Sequence, residues 1–143
     1  CYLQYMSNNR VILLLGSNLK NKKKNLEVAK QLINQEIAKV IKESEILESQ
    51  AEDYESPNTF VNQTIKIHTH LSPIQLLNKI KQIENSMGRV YQSNGERYQD
   101  RIIDIDILTF NELLFKSTHL NIPHHQIHTR KFLNNITNFL LKG

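Results

Sequence analysis

A run of apolar residues, Val11 to Leu15, ends at Gly16. Short continuous apolar stretches bounded by a turn residue are typical of strands buried on both faces. The run therefore predicts a buried central strand near the start of the chain. With 143 residues, of which 39% are hydrophobic, the chain has the length and composition of one domain built on a single core.

Helical and strand periodicities alternate after this run. Apolar residues from Leu26 to Ile37 recur at helical spacing, and Asn25 is the expected N-cap of that helix. Val40 to Ser49 is expected to form a second strand. Phe60 to Thr69 alternates between two faces and predicts a third strand.

A second helix and a fourth strand follow. Ser72-Pro73-Ile74-Gln75 carries a capping serine, a proline in the first turn and a glutamine placed to complete a capping box. Gly88 is the expected stop of this helix. The alternation of isoleucine and aspartate within Ile102 to Phe110 predicts a strand, and Asn111-Glu112 predicts a turn into a short hairpin.

The resulting order, β-α-β-β-α-β, predicts an α+β fold. In it a ferredoxin-like antiparallel sheet carries both helices on one face. A short hairpin and a C-terminal tail follow, and the opposite face of the sheet is expected to be free for a ligand. We expect residues 1–10 to be an N-terminal extension and residues 11–143 to be a single domain that ends early at its C-terminus.

Charge and cysteine content narrow the kind of partner. The formal net charge of +4 suits an anionic small molecule such as ATP and only weakly favours nucleic acid. The single cysteine, Cys1, allows no intramolecular disulfide, so nothing favours secretion. No segment approaches the ~20 apolar residues that a membrane span needs. We therefore expect a cytoplasmic protein with neither a membrane nor a nucleic-acid partner.

Asp104-Ile105-Asp106 is the strongest chemical signal in the sequence. Residues two apart on a strand point to the same face, with Cα atoms ~6–7 Å apart. Carboxylates this close repel each other unless a cation lies between them. Projecting from a rigid central strand, such a pair suits Mg²⁺, which often uses one or two carboxylates together with phosphates. The alternative is an edge strand with a solvated acidic face.

Arginines flank this pair. Arg97 and Arg101 precede the aspartates, and Arg89 follows the expected end of the second helix. Guanidinium groups suit bidentate contact with phosphate. Arginines next to metal-binding carboxylates are typical of sites that transfer phosphoryl groups. The polar segment 90–96 is interpreted either as a mobile loop that closes over phosphates or as an ordinary connection.

Other candidate sites carry weaker signals. Phe60 and Asn62 share a strand face and suit a flat heterocycle, although an ordinary half-exposed aromatic fits the same pattern. Gly16-Ser17-Asn18 is compatible with a plain turn. His124 and His128 lack the glutamate of a zinc-binding HExxH motif, and the sequence has neither a P-loop nor a GxGxxG motif.

Taken together, these pieces resemble the 6-hydroxymethyl-7,8-dihydropterin pyrophosphokinase family. The resemblance runs in order from about Val11 to Phe132, and the Arg-x-x-Asp-x-Asp-Ile and Glu-x-x-x-Gly-Arg motifs are specific in combination. It is carried by Leu15-Gly16-Ser17-Asn18-Leu19, Phe60-Val61-Asn62-Gln63, Ile83-Glu84-Asn85-Ser86-Met87-Gly88-Arg89, Asp100-Arg101-Ile102-Ile103-Asp104-Ile105-Asp106-Ile107-Leu108 and Ile122-Pro123-His124, with Arg130 and Phe132 following.

The resemblance implies roles on the nucleotide side of a site. Asp104 and Asp106 would together hold two Mg²⁺ ions that bridge the phosphates of ATP. Basic residues would contact the triphosphate. Lys81 and Glu84, one helical turn apart on the second helix, would lie at the nucleotide side of the site. The implied ATP-binding set is Arg89, Arg97, Arg101, His124 and Arg130, with Glu84 and Lys81 from the second helix.

The resemblance also implies a pterin pocket and a reaction. The pterin ring would lie between Phe60 and Phe132, and the Asn62 amide would form hydrogen bonds with the polar edge of that ring. Asn18 and backbone groups near Ser49 would complete the pocket. The pterin hydroxymethyl oxygen would attack the β-phosphorus of ATP, so that AMP leaves, and a monomer with small-molecule substrates is implied. Asp104, Asp106, Arg89 and Arg101 would be the catalytic residues.

Three alternatives stay open from the sequence. A ferredoxin-like sheet with an exposed aromatic also describes an RNA-recognition module, but the RNP1 pattern that such a module needs is absent. The same carboxylates would serve a metal-dependent nuclease or phosphohydrolase. The tail after Phe132 departs from the family's pattern, so a catalytically impaired relative is the third alternative.

Overall fold

The structure is a computed structural model that describes residues 8–49, 59–88, 101–112, 115–116 and 120–122. Seven strands and two helices lie in these ranges. In chain order they are β1 (Asn9–Ser17), α1 (Lys22–Glu36), β2 (Val40–Glu43), β3 (Leu47–Ser49), β4 (Phe60–Thr69), α2 (Pro73–Ser86), β5 (Asp104–Phe110), β6 (Phe115–Lys116) and β7 (Asn121–Ile122).

The main sheet is antiparallel and runs in the order β2-β4-β1-β5, with β3 also pairing with β4. The apolar strand β1 lies between β4 and β5, which confirms the predicted buried central strand. The mixed α+β fold with two helices and an antiparallel sheet is likewise confirmed, although three strands, not two, lie between the helices. In the described part of the chain, β5 ends the sheet, so the expectation that the aspartates project from a central strand was wrong.

Both helices pack on one face of the sheet, as predicted. Leu26 and Ile33 of α1 and Ile80 of α2 join the odd-numbered residues of β1 in one buried cluster. The opposite face is not open along its whole length. Ile12 and Leu14 point to that face and are only 1% and 5% exposed, so the expectation of a free face was wrong at these positions.

The predicted second strand is divided in two. β2 and β3 both pair with β4, and Ser44 lies between them. The Ser44 N–H donates to the Thr64 carbonyl at 2.9 Å, and the Thr64 N–H donates to the Ser44 hydroxyl at 3.0 Å. A side-chain oxygen thus takes the place of a backbone acceptor, which interrupts the ladder at this residue.

The helix ends confirm one predicted cap and correct another. α2 begins with the capping box: the Gln75 N–H donates to the Ser72 hydroxyl at 3.2 Å, and the Gln75 side chain accepts from the Ser72 N–H at 2.9 Å. α1 is capped by Asn21, not Asn25. The Asn25 amide lies one turn later and donates to the Ser17 hydroxyl and the Leu19 carbonyl, so it orders the turn after β1.

The end of α2 and the predicted hairpin also have counterparts in the structure. Gly88 follows the helix with a φ of +97°, a conformation that glycine adopts without steric cost. β6 and β7 pair as a short antiparallel ladder. Neither helix in the described ranges has the combined length and apolar composition that crossing a membrane requires.

Candidate active site

β5 presents two carboxylates on the face of the sheet that lies away from the helices. Ile103, Ile105 and Ile107 are at most 4% exposed and belong to the core cluster between sheet and helices. Because side chains alternate along a strand, Asp104 and Asp106 point to the opposite face. Both residues are partly exposed.

Arg101 lies directly beside this pair. Its Nη1 is 3.1 Å from Asp104 Oδ2, and the two side chains are 18% and 22% exposed. The predicted proximity of a guanidinium group to the aspartates is therefore present in the structure. Limited exposure weakens solvent screening of this ion pair, so Arg101 offsets part of the repulsion between Asp104 and Asp106.

Glu84 of α2 contacts β5 at the strand edge that lies away from β1. It is only 3% exposed, and its Oε2 accepts a hydrogen bond of 2.8 Å from the backbone N–H of Ile105. The acceptor therefore joins α2 to the peptide between the two aspartates. Lys81, one turn earlier on the same helix, is exposed. Contact of either side chain with a nucleotide stays a prediction.

Three neighbouring strands bring the two halves of the predicted site into one row. Gly16 of β1 pairs with Asn62 of β4 on one side and with Asp104 of β5 on the other. Paired residues in antiparallel strands lie ~5 Å apart, so the Cα atoms of Asn62 and Asp104 are separated by about 10 Å. Gly16 has no side chain, so the sheet surface between the side chains of Asn62 and Asp104 is uncovered by Gly16 itself.

The glycine at this position is required by its neighbours. A Cβ on Gly16 would lie 3.3 Å from Asn62 Oδ1 and 3.4 Å from Phe60 Cδ1. Asn62 and Phe60 therefore lean over the glycine, in the direction of the aspartates. The predicted pairing of an aromatic ring and an amide on one face is present, with Phe60 half-buried and Asn62 5% exposed.

Asn18 joins the turn after β1 to Arg101, which precedes β5 and its two aspartates. Its Oδ1 accepts from the Arg101 N–H at 2.5 Å, and its own N–H donates to the Arg101 carbonyl at 3.0 Å. At 2% exposure, Asn18 is buried under this contact. The turn Gly16-Ser17-Asn18, which alone is compatible with a plain turn, therefore positions Arg101.

The strand β3 borders the Phe60 side of the row. Ser49 pairs with Phe60, and Leu47 pairs with Asn62, whose amide donates to the Leu47 carbonyl at 3.4 Å. The backbone at Ser49 therefore lies opposite Phe60 in the sheet, and its part in a pterin pocket stays a prediction. β3 and the row around Gly16 form one continuous antiparallel surface.

Comparison with known proteins identifies the family. The family described as 7,8-dihydro-6-hydroxymethylpterin-pyrophosphokinase (HPPK) matches residues 12–139. The chain belongs to this family. The match spans the carboxylate pair, Arg101, Asn18 and the Phe60–Asn62 strand.

Individual relatives agree with this assignment. A 2-amino-4-hydroxy-6-hydroxymethyldihydropteridine pyrophosphokinase of Porphyromonas gingivalis is 34% identical over 124 residues, which cover 86% of this chain and 84% of that protein. The enzyme of the same name from Bacillus subtilis is 35% identical over 127 residues, covering 88% and 74% of the two chains.

Solved structures agree on the fold. The crystal structure of Plasmodium falciparum HPPK-DHPS wild type with pteroate superposes with a TM-score of 0.70 at 18% identity. It covers 87% of this chain and 39% of that one. A second structure of Plasmodium falciparum HPPK-DHPS, with SDX-DHP, gives a TM-score of 0.71 at 20% identity, covering 91% and 41%. This HPPK chain thus spans about two fifths of those chains.

The donors at β5 fit a divalent cation that is shared with a ligand. Within the described ranges there is no cluster of three or more histidine, cysteine or acidic residues able to enclose a metal by itself. Asp104 and Asp106 carry carboxylate oxygens on one face only. Mg²⁺ takes oxygen ligands and is usually held by one or two carboxylates with substrate phosphates, so the donor set suits it.

Five residues of the predicted site lie outside the described residues, and their roles stay predictions: Arg89, Arg97, His124, Arg130 and Phe132. Sequence reasoning missed two relationships that the structure contains. One is the contact of Glu84 with the Ile105 N–H, and the other is the place of Gly16 between Asn62 and Asp104. A buried acidic residue on the apolar stripe of α2 was an available signal for the first.

Proposed function

We propose that this HPPK chain transfers the pyrophosphoryl group of ATP to hydroxymethyldihydropterin in folate synthesis, with Mg²⁺ at Asp104 and Asp106. Membership of the family carries the reaction itself. The row Asn62-Gly16-Asp104 is the observation that supports these residues in particular. Asn62, proposed for the ring, and Asp104, proposed for the phosphates, lie about 10 Å apart on one sheet face, which supports the proposal.

The phosphate side combines anionic and cationic groups. Asp104 and Asp106 would hold the two Mg²⁺ ions jointly with the phosphates of ATP. When present, the ions supply charge neutralisation at the phosphoryl oxygens. Arg101, fixed through its backbone by Asn18, would direct its guanidinium group at the same phosphates.

The remaining nucleotide contacts rest on the family resemblance. Arg89, Arg97, His124 and Arg130 are proposed to surround the triphosphate. Lys81 is exposed on α2 and is proposed to contact the nucleotide from that side. The resemblance also implies a nucleotide contact for Glu84, but its carboxylate is buried against β5 and accepts from the Ile105 N–H, so Glu84 is left out of the proposed set.

The pterin side is proposed to use Phe60, Phe132 and Asn62. Phe60 offers a half-buried ring beside Gly16, and the flat pterin would stack on it. Asn62 carries donors and an acceptor suited to the polar edge of the ring. Asn18 and the backbone near Ser49 would complete the pocket.

The reaction then requires positioning more than reactive protein groups. The hydroxymethyl group loses its proton to solvent, and its oxygen forms a bond to the β-phosphorus of ATP. The bond between that phosphorus and the oxygen bridging to the α-phosphate breaks, and AMP leaves. No protein atom becomes covalently attached. Holding both substrates on one sheet face lowers the entropic part of the barrier, and the surrounding charges stabilise the transferring group.

An assay of AMP formation tests this proposal. The full chain is mixed with ATP, Mg²⁺ and hydroxymethyldihydropterin, and AMP is followed by chromatography. We expect AMP to form only when the pterin and the metal are both present. AMP or ADP released at the same rate without pterin would identify a phosphohydrolase and contradict the transfer reaction.

The state and location of the protein are separate proposals. We propose a monomer that acts on small-molecule substrates in the cytoplasm. Size-exclusion chromatography with light scattering should give the mass of one chain, 16.7 kDa. A stable dimer at micromolar concentration would contradict the monomer.

A further inference from the structure

The backbone N–H of Ile105 lies on the outer edge of the sheet. Among the described strands, β5 pairs only with β1, so N–H groups of alternate residues point away from the ladder. Ile105 itself is only 4% exposed, and a buried N–H without an acceptor is costly. Glu84 provides that acceptor at 2.8 Å.

This contact acts on the peptide that joins Asp104 to Ile105. Rotation of that peptide would turn the Asp104 side chain relative to Asp106, because both directions depend on the backbone between them. On the β1 side the segment is held by its pairing with Leu14, Leu15 and Gly16. Glu84 holds it on the other side, from a helix whose first turn is closed by a capping box.

We propose that Glu84 is a positioning residue for the cation site: its hydrogen bond to Ile105 fixes the relative orientation of Asp104 and Asp106. The inference rests on the proposed function, which makes these aspartates the metal ligands. It differs from the expectation of a nucleotide contact, since the Glu84 carboxylate is buried at the edge of β5 and accepts from the Ile105 N–H. Groups that orient metal ligands typically contribute tenfold to hundredfold to metal affinity.

Binding of Mn²⁺ provides a test that does not depend on turnover. Mn²⁺ is titrated into the full chain with α,β-methylene-ATP, whose α–β linkage resists cleavage, and binding is followed by electron paramagnetic resonance. Glu84→Ala removes the acceptor, whereas Glu84→Gln keeps an oxygen at the same place. Gln82→Ala, exposed on the same helix, is the matched control.

We expect Glu84→Ala to weaken Mn²⁺ binding by at least about tenfold, Glu84→Gln to restore it to within about threefold, and Gln82→Ala to have no effect. Affinity for the nucleotide analogue in the presence of EDTA should stay unchanged in all three variants. In hydrogen exchange followed by NMR, the Ile105 amide should lose protection in Glu84→Ala and keep it in Glu84→Gln. This readout reports the hydrogen bond directly.

Several outcomes would overturn the positioning role. They are normal Mn²⁺ affinity in a folded Glu84→Ala variant, equal losses in the alanine and glutamine variants, or a loss of metal-free nucleotide affinity. The failure of the proposed function looks different. In that case the parent chain and an Asp106→Ala variant would bind Mn²⁺ equally weakly, and the cation site would be rejected along with the role of Glu84.

Discussion

Asn18 and Arg101 hold each other through a reciprocal pair of hydrogen bonds, although 83 positions separate them in the sequence. The pair ties the turn after β1 to the residue that forms an ion pair with Asp104. A residue predicted for the pterin side thereby sets the backbone position of a residue predicted for the phosphate side. The two halves of the proposed site are mechanically connected.

The first prediction concerns this pair. Asn18→Ala should lower the free energy of unfolding by about 1–3 kcal/mol, because the Arg101 N–H loses its acceptor in a poorly solvated place. Affinity for ATP analogues should fall as well, since the Arg101 guanidinium is no longer fixed. Urea denaturation and calorimetric titration measure the two effects.

A matched asparagine separates stability from binding. Asn34 accepts from the Val40 N–H at 2.7 Å and lies at the far end of α1. Asn34→Ala should therefore lose stability without losing nucleotide affinity. Equal nucleotide affinity in Asn18→Ala and the parent chain would refute the proposed connection between the two halves of the site.

The second prediction concerns Gly16, which lies between Asn62 and Asp104. In Gly16→Ala, the new methyl group would meet Asn62 Oδ1 at 3.3 Å and Phe60 Cδ1 at 3.4 Å. Both side chains must move by a few tenths of an ångström, and the methyl also fills the gap between Asn62 and Asp104. We expect pterin affinity to fall about tenfold, which corresponds to ~1.4 kcal/mol.

The affinity of Gly16→Ala for ATP analogues should change much less, because the added methyl group faces Phe60 and Asn62. Calorimetric titration of each ligand separates the two. A Gly16→Ala variant that binds pterin as tightly as the parent chain would contradict the proposed position of the ring.

The third prediction concerns the carboxylate pair. Asp106→Asn keeps the shape of the side chain but removes one of two neighbouring negative charges. AMP formation should fall by orders of magnitude, because the cation loses a charged ligand. Since like-charge repulsion is relieved, we expect the free energy of unfolding to stay the same or rise.

An exposed acidic residue serves as the control for charge alone. Glu45 lies between β2 and β3, and Glu45→Gln should leave both turnover and stability unchanged. If Asp106→Asn turned over at the parent rate with saturating Mg²⁺, the assignment of Asp106 as a metal ligand would have to be abandoned.

The fourth prediction tests a residue that only supports the fold. Ser72→Ala removes the capping hydroxyl of α2 and should lower the free energy of unfolding by about 1 kcal/mol. The KM for both substrates should remain unchanged, as the cap lies at the opposite end of the helix from Glu84. A selective rise in one KM would show that the start of α2 contributes to the site.

Local patterns were sufficient for several elements. The alternation of Phe60 to Thr69 predicted β4 with its observed bounds, and the Ser72–Gln75 pattern predicted the capping box. Both depend on neighbours within a few residues, which a sequence displays directly. The predicted N-cap of α1 was wrong because local patterns do not choose between two similar candidates. Asn21 and Asn25 are equally good caps locally, and the bonds of Asn25 to Ser17 and Leu19 decide between them.

The position of β5 at the edge of the sheet formed by the described strands could not be read from its composition. Buried isoleucines occur on central strands and on edge strands that a helix covers. Here Glu84 of α2 satisfies the N–H of Ile105 that a further strand would otherwise bond. The prediction of a central strand took burial as evidence of pairing on both sides, whereas among the described strands only β1 pairs with β5.

The sequence by itself determined the α+β order of elements, the buried strand β1 and the two carboxylates on one face of β5, because each depends on periodicities of two or a few residues. Only the tertiary structure decided which distant residues meet. The Asn62-Gly16-Asp104 row, the Asn18–Arg101 pair and the Glu84–Ile105 contact depend on strand register and helix docking. The packing of the whole core sets those contacts, and no local pattern encodes them.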